Sequence, residues 1–299
     1  MATVGVLCAR GRVEEKALMA ALAEAGIVSA LFPPTDEPLP VGPLFPMASG
    51  RSFPVPQIVV DRHPDRQIAR AVLATCRALD VPGLCAGIAA TGDRLDVASA
   101  LAAKGLPRPE TALCTSENAG LAAVAAMGLP ATVLPLDLKS QPIDLPDIDT
   151  AEAVLEHRSV LGGSEGSLGL VQAGTPPPEN VVTIFVIDGV ATALETSMAI
   201  GVSVEVLRLA EQTARALFAD VIAVVIALTP SGPIVWDVRP VPEFRHAQAL
   251  TELSVPQAIA QAVQHRLEPV SAPRLPSDST PDWTNLVTQG TRRDLVISA

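Results

Sequence analysis

The side chains able to do chemistry in concert fall at three places. Near the C-terminal end of the sequence, "GPIVWDVRPVPEFRHA" carries an apolar strand, Ile234 to Trp236, straight into Asp237 and then Arg239. Strand periodicity puts positions i and i+2 on one face, so this acid and this base should point together, either as part of a working site or as an ion pair that replaces one. Six residues on, Glu243, Arg245 and His246 crowd one short motif. At the start, "CARGRVEE" sets Arg10 and Arg12 beside Glu14 and Glu15. Arg10, Arg12 and Arg245 could each contact a carboxylate or other anion, or be neutralised by Glu14, Glu15 or Glu243. Cys8, Cys76, Cys85 and Cys114 have no CxxC spacing and read as buried free thiols. The histidines His63, His157, His246 and His265 are dispersed, and the one acid–histidine pair at a spacing of three, Glu243 and His246, does not make a zinc site.

Composition narrows the function classes. With 299 residues, 48% of them apolar, the chain can bury several packed units. A net charge of −11, aromatic content of 3% and no tyrosine leave neither a phosphate-neutralising surface nor stacking platforms, which argues against nucleic-acid binding. Mean hydropathy is +0.37, but the longest charge-free apolar stretch, Val221 to Trp236, is broken by Thr229-Pro-Ser-Gly-Pro233. That is two strands and a turn rather than a span of about 20 residues, so no membrane segment is expected. The N-terminus has too short an apolar segment before Arg10 to act as an export signal, and a cytoplasmic location is expected.

Strands and helices alternate along the chain. Thr3–Cys8 reads as a strand and the helical spacing of Val13, Leu18, Leu22 and Ala25 as a helix stopped at Gly26. Eight prolines between 31 and 57 predict an irregular connection; Gln57–Val60, a helix around Val72, and Val81–Cys85 complete an α/β unit over 1–88. The pattern restarts after Gly92 with helices at Asp93–Lys104 and Glu117–Met127, strands at Thr111–Thr115 and Ala131–Leu136, and a helix capped by Thr150, a second unit over 89–170. A third, 171–267, holds a hairpin turning at Asp188-Gly189, a helix Val202–Phe218, the hairpin 221–238 and a helix Val255–Leu267. Residues 268–299, rich in proline, serine and threonine, read as a flexible tail.

In this order the chain resembles the ATP-grasp proteins, and among them the LysX/RimK-type ligases that join an amino acid to the carrier protein of lysine or arginine biosynthesis. The likeness lies in "VGVLCARGRVEEKALMAAL", "TGDRLDVASALAAKGLPRPETALCT", "AEAVLEHRSVLGG" and "VPEFRHA", and covers residues 3 to about 265. It implies an α/β (α+β) ATP-grasp fold behind an N-terminal Rossmann-like domain, ATP and Mg²⁺ as cofactors, ATP-dependent carboxylate–amine ligation, and a homo-oligomer.

Position by position, the resemblance also marks departures. The family's first nucleotide lysine falls on Arg94, and the second on Leu134, which cannot contact a phosphate. The glycine-rich lid falls on "DLKSQPIDLPDID", with no glycine, four aspartates and Lys139 as its one cation. The adenine hinge falls on Gln172-Ala173-Gly174, and the phosphoryl arginine on Thr183. The three metal ligands fall on Val225, Asp237 and Arg239. Arg94, Lys139, Gln172 and Gly174 thus remain as nucleotide contacts, Asp237 as a vestigial metal ligand, and Arg10, Arg12, Glu243 and Arg245 as substrate or anion contacts. Two readings stay open beside a purely structural role. One is a catalytically impaired protein that binds a partner, either a ligase paralogue or an acidic carrier. The other is an active ligase rebuilt around Arg94, Lys139, Asp237 and Glu243.

Overall fold

The computed structural model describes residues 4–33, 56–196 and 202–268, apart from the side chains of 163–165. The tail beyond 268 and most of the proline-rich connection lie outside these residues.

The first unit is a parallel sheet of β1 (Val4–Leu7), β2 (Ser29–Phe32), β3 (Ile58–Asp61) and β4 (Gly83–Leu84), in the order β2-β1-β3-β4. Helix α1 (Val13–Glu24) and helix α2 (Arg66–Ala78) contribute to different apolar clusters, which puts helices on both faces of the sheet. β1 and β3 are buried at every position, as strands covered on both faces must be. A short helix α3 (Ile88–Thr91) and α4 (Arg94–Ala103) follow, the latter opened by a reciprocal cap in which Asp93 accepts from Asp96 N–H and Asp96 from Asp93 N–H.

The second unit is an antiparallel sheet in the order β5-β8-β6-β7, made of β5 (Thr111–Cys114), β6 (Ala131–Pro135), β7 (Ile143–Leu145) and β8 (Gly169–Ala173). Helices α5 (Glu117–Met127) and α6 (Ile148–Ser167) cover it, and Val124, Val133, Leu145, Leu155 and Val171 give it a core of its own. Because β8 runs to Ala173, the second unit extends past residue 170. One expectation, the cap at Thr150, is corrected here. The segment 137–149 holds a strand, β7, and α6 begins at Ile148 with Asp147, not Thr150, receiving the first-turn N–H.

The third sheet has the order β12-β11-β9-β10-β13: β9 (Val181–Ile187), β10 (Val190–Thr196), β11 (Val221–Thr229), β12 (Gly232–Arg239) and β13 (Gln248–Ala249). All its neighbours are antiparallel, and the β9–β10 hairpin turns at Asp188 and Gly189, both at positive φ, as a primed two-residue turn requires. Helix α7 (Val204–Ala216) packs on one face and α8 (Val255–Leu267) on the other.

The first and third sheets share both of the larger cores. Val59, Val72 and Leu73 pack with Ile184, Val224 and Leu209, while Val6, Leu18 and Leu22 pack with Phe185, Ala223 and Ile259. Gly87 joins them. Its φ is +56 and a Cβ there would lie 2.0 Å from the Leu217 carbonyl oxygen, so only glycine fits. The protein is therefore a joined pair of sheets with a separately packed middle unit set against it, and the interface of that middle unit with β12 is where the site lies.

Candidate functional site

A row across the third sheet collects the positions that the sequence marked. Asp237 on β12 pairs with Val225 on β11, Val225 with Thr183 on β9, and Thr183 with Glu195 on β10. Paired residues face the same side of a sheet, so all four side chains line one track. Only its two ends are acidic, three strand spacings or roughly 14 Å apart, too far to share one ion. Glu195 escaped the sequence reading, because nothing in "TALET" announces that it sits level with Asp237. Among the described residues, no three His, Cys, Asp or Glu side chains gather so as to hold a metal ion.

A bulge in β12 aims Asp237. The register slips between Val225 and Ile226, leaving Trp236 as the extra residue, so that Val235 and Val238, three apart, both enter the same core. Asp237 and Arg239 then stand on the opposite side, but they do not pair. Arg239 is exposed, and Asp237 is gripped by Arg94 at the start of α4: Nε donates at 3.4 Å and Nη2 at 3.2 Å to its two carboxylate oxygens. The same guanidinium donates to the carbonyls of Pro135 (2.8 Å), Asp137 and Ser140 (2.9 Å). Arg94 is 4% exposed. Its planar fork of five N–H groups suits this many acceptors, and none is left over for a phosphate.

The rest of the interface is equally closed. Leu134 is 3% exposed on β6 beside Leu170, and Gln172 Nε2 donates to the Trp236 carbonyl at 3.4 Å, joining the middle sheet to β12 at the other end. Arg94, Leu134, Gln172 and Asp237 line one cavity, but about 30 Å³ remains inside it. That is room for one or two water molecules, whereas small-ligand sites run to roughly 300–1,000 Å³. The residues present do not fit a magnesium nucleotide: the cation is spoken for, the second cation is a leucine, and one carboxylate stands where three oxygen ligands are needed.

The other candidates lie elsewhere. Lys139 is exposed and borders a different cleft, beyond the Arg94 contacts. Gly174, at φ +83, is not in the cavity wall; its carbonyl accepts from the Thr132 hydroxyl. Arg12 pairs with Glu15 and, at 3.4 Å, with Glu243; Arg245 donates to Glu14 at 3.0 Å. Three of the four proposed anion contacts are thus ion-pair partners, and Arg10 is exposed. These pairs surround Arg62, which sequence reasoning missed. Arg62 is fully buried at the end of β3, donates to the Pro242 carbonyl at 2.7 Å, lies 3.4 Å from Glu15 and stacks 5.0 Å over the Phe244 ring. Burial pulls its pKa down, against the Glu15 carboxylate, which raises it. Next to the crevice between β1 and β3, where the strand order reverses and parallel sheets commonly take ligands, Arg62 is held by Pro242 and Phe244 of the "PEFR" motif. Cys8, Cys76 and Cys114 are buried free thiols and Cys85 is half-buried, each pushed up chiefly by desolvation.

No protein-family model matches the sequence. Solved structures do match. A RimK domain ATP-grasp protein from Sphaerobacter thermophilus is 26% identical, with a TM-score of 0.72 over 87% of this chain and 99% of that one. The ATP-grasp ligase PsnB, complexed with a minimal precursor, superposes with a TM-score of 0.65 at 14% identity over 89% of this chain and 99% of that one. D-alanine–D-alanine ligase from Bacillus anthracis, complexed with ATP, gives 0.60 at 15% identity over 87% and 91%. The chain has the fold of the ATP-grasp ligases. Among the described residues no helix is long and apolar enough to cross a membrane.

Proposed function

We propose that this protein keeps the ATP-grasp shape without its nucleotide chemistry and acts by binding a partner, a ligase paralogue or a small acidic carrier protein of amino acid biosynthesis. The observation that carries this reading is the guanidinium of Arg94, buried and saturated by Asp237 and three carbonyls in a cavity of about 30 Å³. Phosphoryl transfer needs positioned cations and metal-held oxygens, and each such group typically supplies several kcal/mol of transition-state stabilisation. Without them the same frame binds rather than reacts. A rebuilt ligase would have to bring Arg94, Lys139, Asp237 and Glu243 around one nucleotide. Lys139 faces another cleft, and Glu243 pairs with Arg12 at the far junction.

Titration calorimetry with ATP and magnesium tests the reading directly. The expected result is no heat of binding below millimolar ATP and no thermal shift. Magnesium-dependent binding in the submillimolar range would overturn it in favour of an active carboxylate–amine ligase.

A further inference from the structure

Strand β2 is an outer edge of the first sheet, and among the described residues only β1 pairs with it. The Val4 N–H donates to the Val28 carbonyl at 3.1 Å, which turns the backbone groups of Val28, Ala30 and Phe32 toward β1. Alternation along the strand then turns the N–H and carbonyl of Ser29 and of Leu31 outward. Sheets in monomeric proteins ordinarily guard such an edge with a lysine, an inward charge, a bulge or a proline within the strand. Here no charged residue occurs between Glu24 and Asp36, and the register with β1 is unbroken. The side chains along the edge include Val28, 58% exposed, and Leu31, 40% exposed, with an exposed Ala30 between them.

The chemistry of this edge fits a second copy of itself. Two chains of net charge −11 repel each other, and the repulsion is least where neither presents a charge, as along this stretch. The strand is also complementary to itself when run antiparallel. With a two-fold axis at Ala30, Ser29 faces Leu31 of the second copy and Leu31 faces its Ser29. Both are hydrogen-bonded pairs, so every outward group of both copies finds a partner. Ala30 then meets its own counterpart in the non-hydrogen-bonded pair between them, where Cα atoms stand about 4.5 Å apart and a small side chain fits best. Moving the axis spoils the match. At Ser29 it would set Leu31 against Ile27, whose N–H already donates to the Leu22 carbonyl at 2.9 Å. At Leu31 it would set Ser29 against Pro33, which has no N–H.

We infer that two copies of the chain join their β2 strands antiparallel about Ala30, merging two four-stranded sheets into one across a two-fold axis. No residue of β2 lines the Arg94 cavity, so this inference stands apart from the reading of that cavity.

Sedimentation velocity of the full chain between about 1 and 100 µM tests it. The expected result is a species of twice 31.0 kDa that dominates at the upper end. Ala30→Lys and Ala30→Glu each set like charges face to face at the axis, so each should weaken association at least tenfold. The Ala30 side chain is exposed, and circular dichroism and the melting temperature of both variants should match those of the parent. Leu31→Pro, which deletes an outward N–H and none bonded to β1, should also weaken association. Mixed in equal amounts, the lysine and glutamate variants should recover the parent's dimer, a rescue that requires residue 30 to face its counterpart. A parent that stays monomeric over the whole range would overturn the inference, including one whose β2 is instead covered by a strand of another protein. So would a dimer that either charged variant leaves at full strength, or an equal mixture that does not associate.

Discussion

If Arg94 is a clamp rather than a vestigial phosphate contact, removing it must cost folding stability. In Arg94→Met the aliphatic stem is kept and five hydrogen bonds are lost, leaving the Asp237 carboxylate and the carbonyls of Pro135, Asp137 and Ser140 to find other partners. Stranding one member of a buried ion pair typically costs about 3–5 kcal/mol. The Asp237 side chain is 15% exposed and water can enter the vacated space, which favours the lower end, about 3 kcal/mol. At roughly 2 °C per kcal/mol for a chain of this size, the melting temperature should fall by about 6 °C. Arg94→Lys discriminates further. An ammonium has three donors for five bonds, so a clamp loses about 2 kcal/mol, whereas a phosphate site would lose nothing and gain affinity for Mg-ATP. Equilibrium urea unfolding of both variants, alongside Asp237→Asn and the double change, gives the coupling between the pair, expected between about 0.5 and 3 kcal/mol. An unchanged midpoint in Arg94→Met, or a lysine variant as stable as the parent and stabilised by Mg-ATP, would refute the clamp.

Two other outcomes follow from burial and charge. Restoring nucleotide-site chemistry should fail: Leu134 and Val225 are 3% and 6% exposed, so Leu134→Lys or Val225→Asp places a charge where little water reaches, at a cost of several kcal/mol. Circular dichroism should show loss of the native fold that Mg-ATP does not reverse, and a well-folded variant that Mg-ATP stabilises would contradict the closed cavity. Acid sensitivity should come partly from Glu14 and Asp137. Burial alone would push both carboxyls up, but backbone N–H groups, together with Arg245 for Glu14 and the Ser140 side chain for Asp137, hold them below their ordinary values. A depressed folded pKa adds stability above the unfolded value, about 4, and that stability is lost as pH falls through the lower folded value. Urea midpoints should therefore be level from pH 7 to about 5 and fall below 4, with Glu14→Gln losing less over that acid range than the parent; identical slopes would exclude Glu14 as a contributor.

Much of the frame is legible in the sequence because it is set by local signals. The bounds of α5 and α8 match the periodic apolar runs, and Asp188-Gly189 marks its turn through backbone chemistry that few other pairs satisfy. What escaped is what depends on distant partners. β7 is three residues between prolines, too short for any pattern, and forms because β6 offers it an edge. The site divides in the same way. Arg94, Leu134, Gln172 and Asp237 line one cavity and Lys139, Gly174 and Arg239 do not, and the natural guess for the partner of Asp237 was Arg239, two residues away. The bulge at Trp236 and the packing of α4 instead deliver Arg94, 143 positions distant in the chain.

On the proposed reading, that exchange of partners lets the site keep its shape without nucleotide chemistry. In an open nucleotide cleft a buried cation and a carboxylate need a ligand between them, or each bears an uncompensated charge. An arginine at position 94 is long enough, and has donors enough, to reach Asp237 and the three carbonyls of the Pro135–Ser140 segment directly, supplying internally what a triphosphate and its metal would otherwise supply. Once those contacts exist, a lysine at 134 would add a second buried cation with no acceptor left for it, and leucine there becomes the more stable choice. The opposite junction points the same way. Beside the β1–β3 crevice the buried Arg62 is likewise spent on the chain's own groups, Glu15, the Pro242 carbonyl and the Phe244 ring. Two places where the fold would ordinarily admit a ligand are thus each held by a buried arginine.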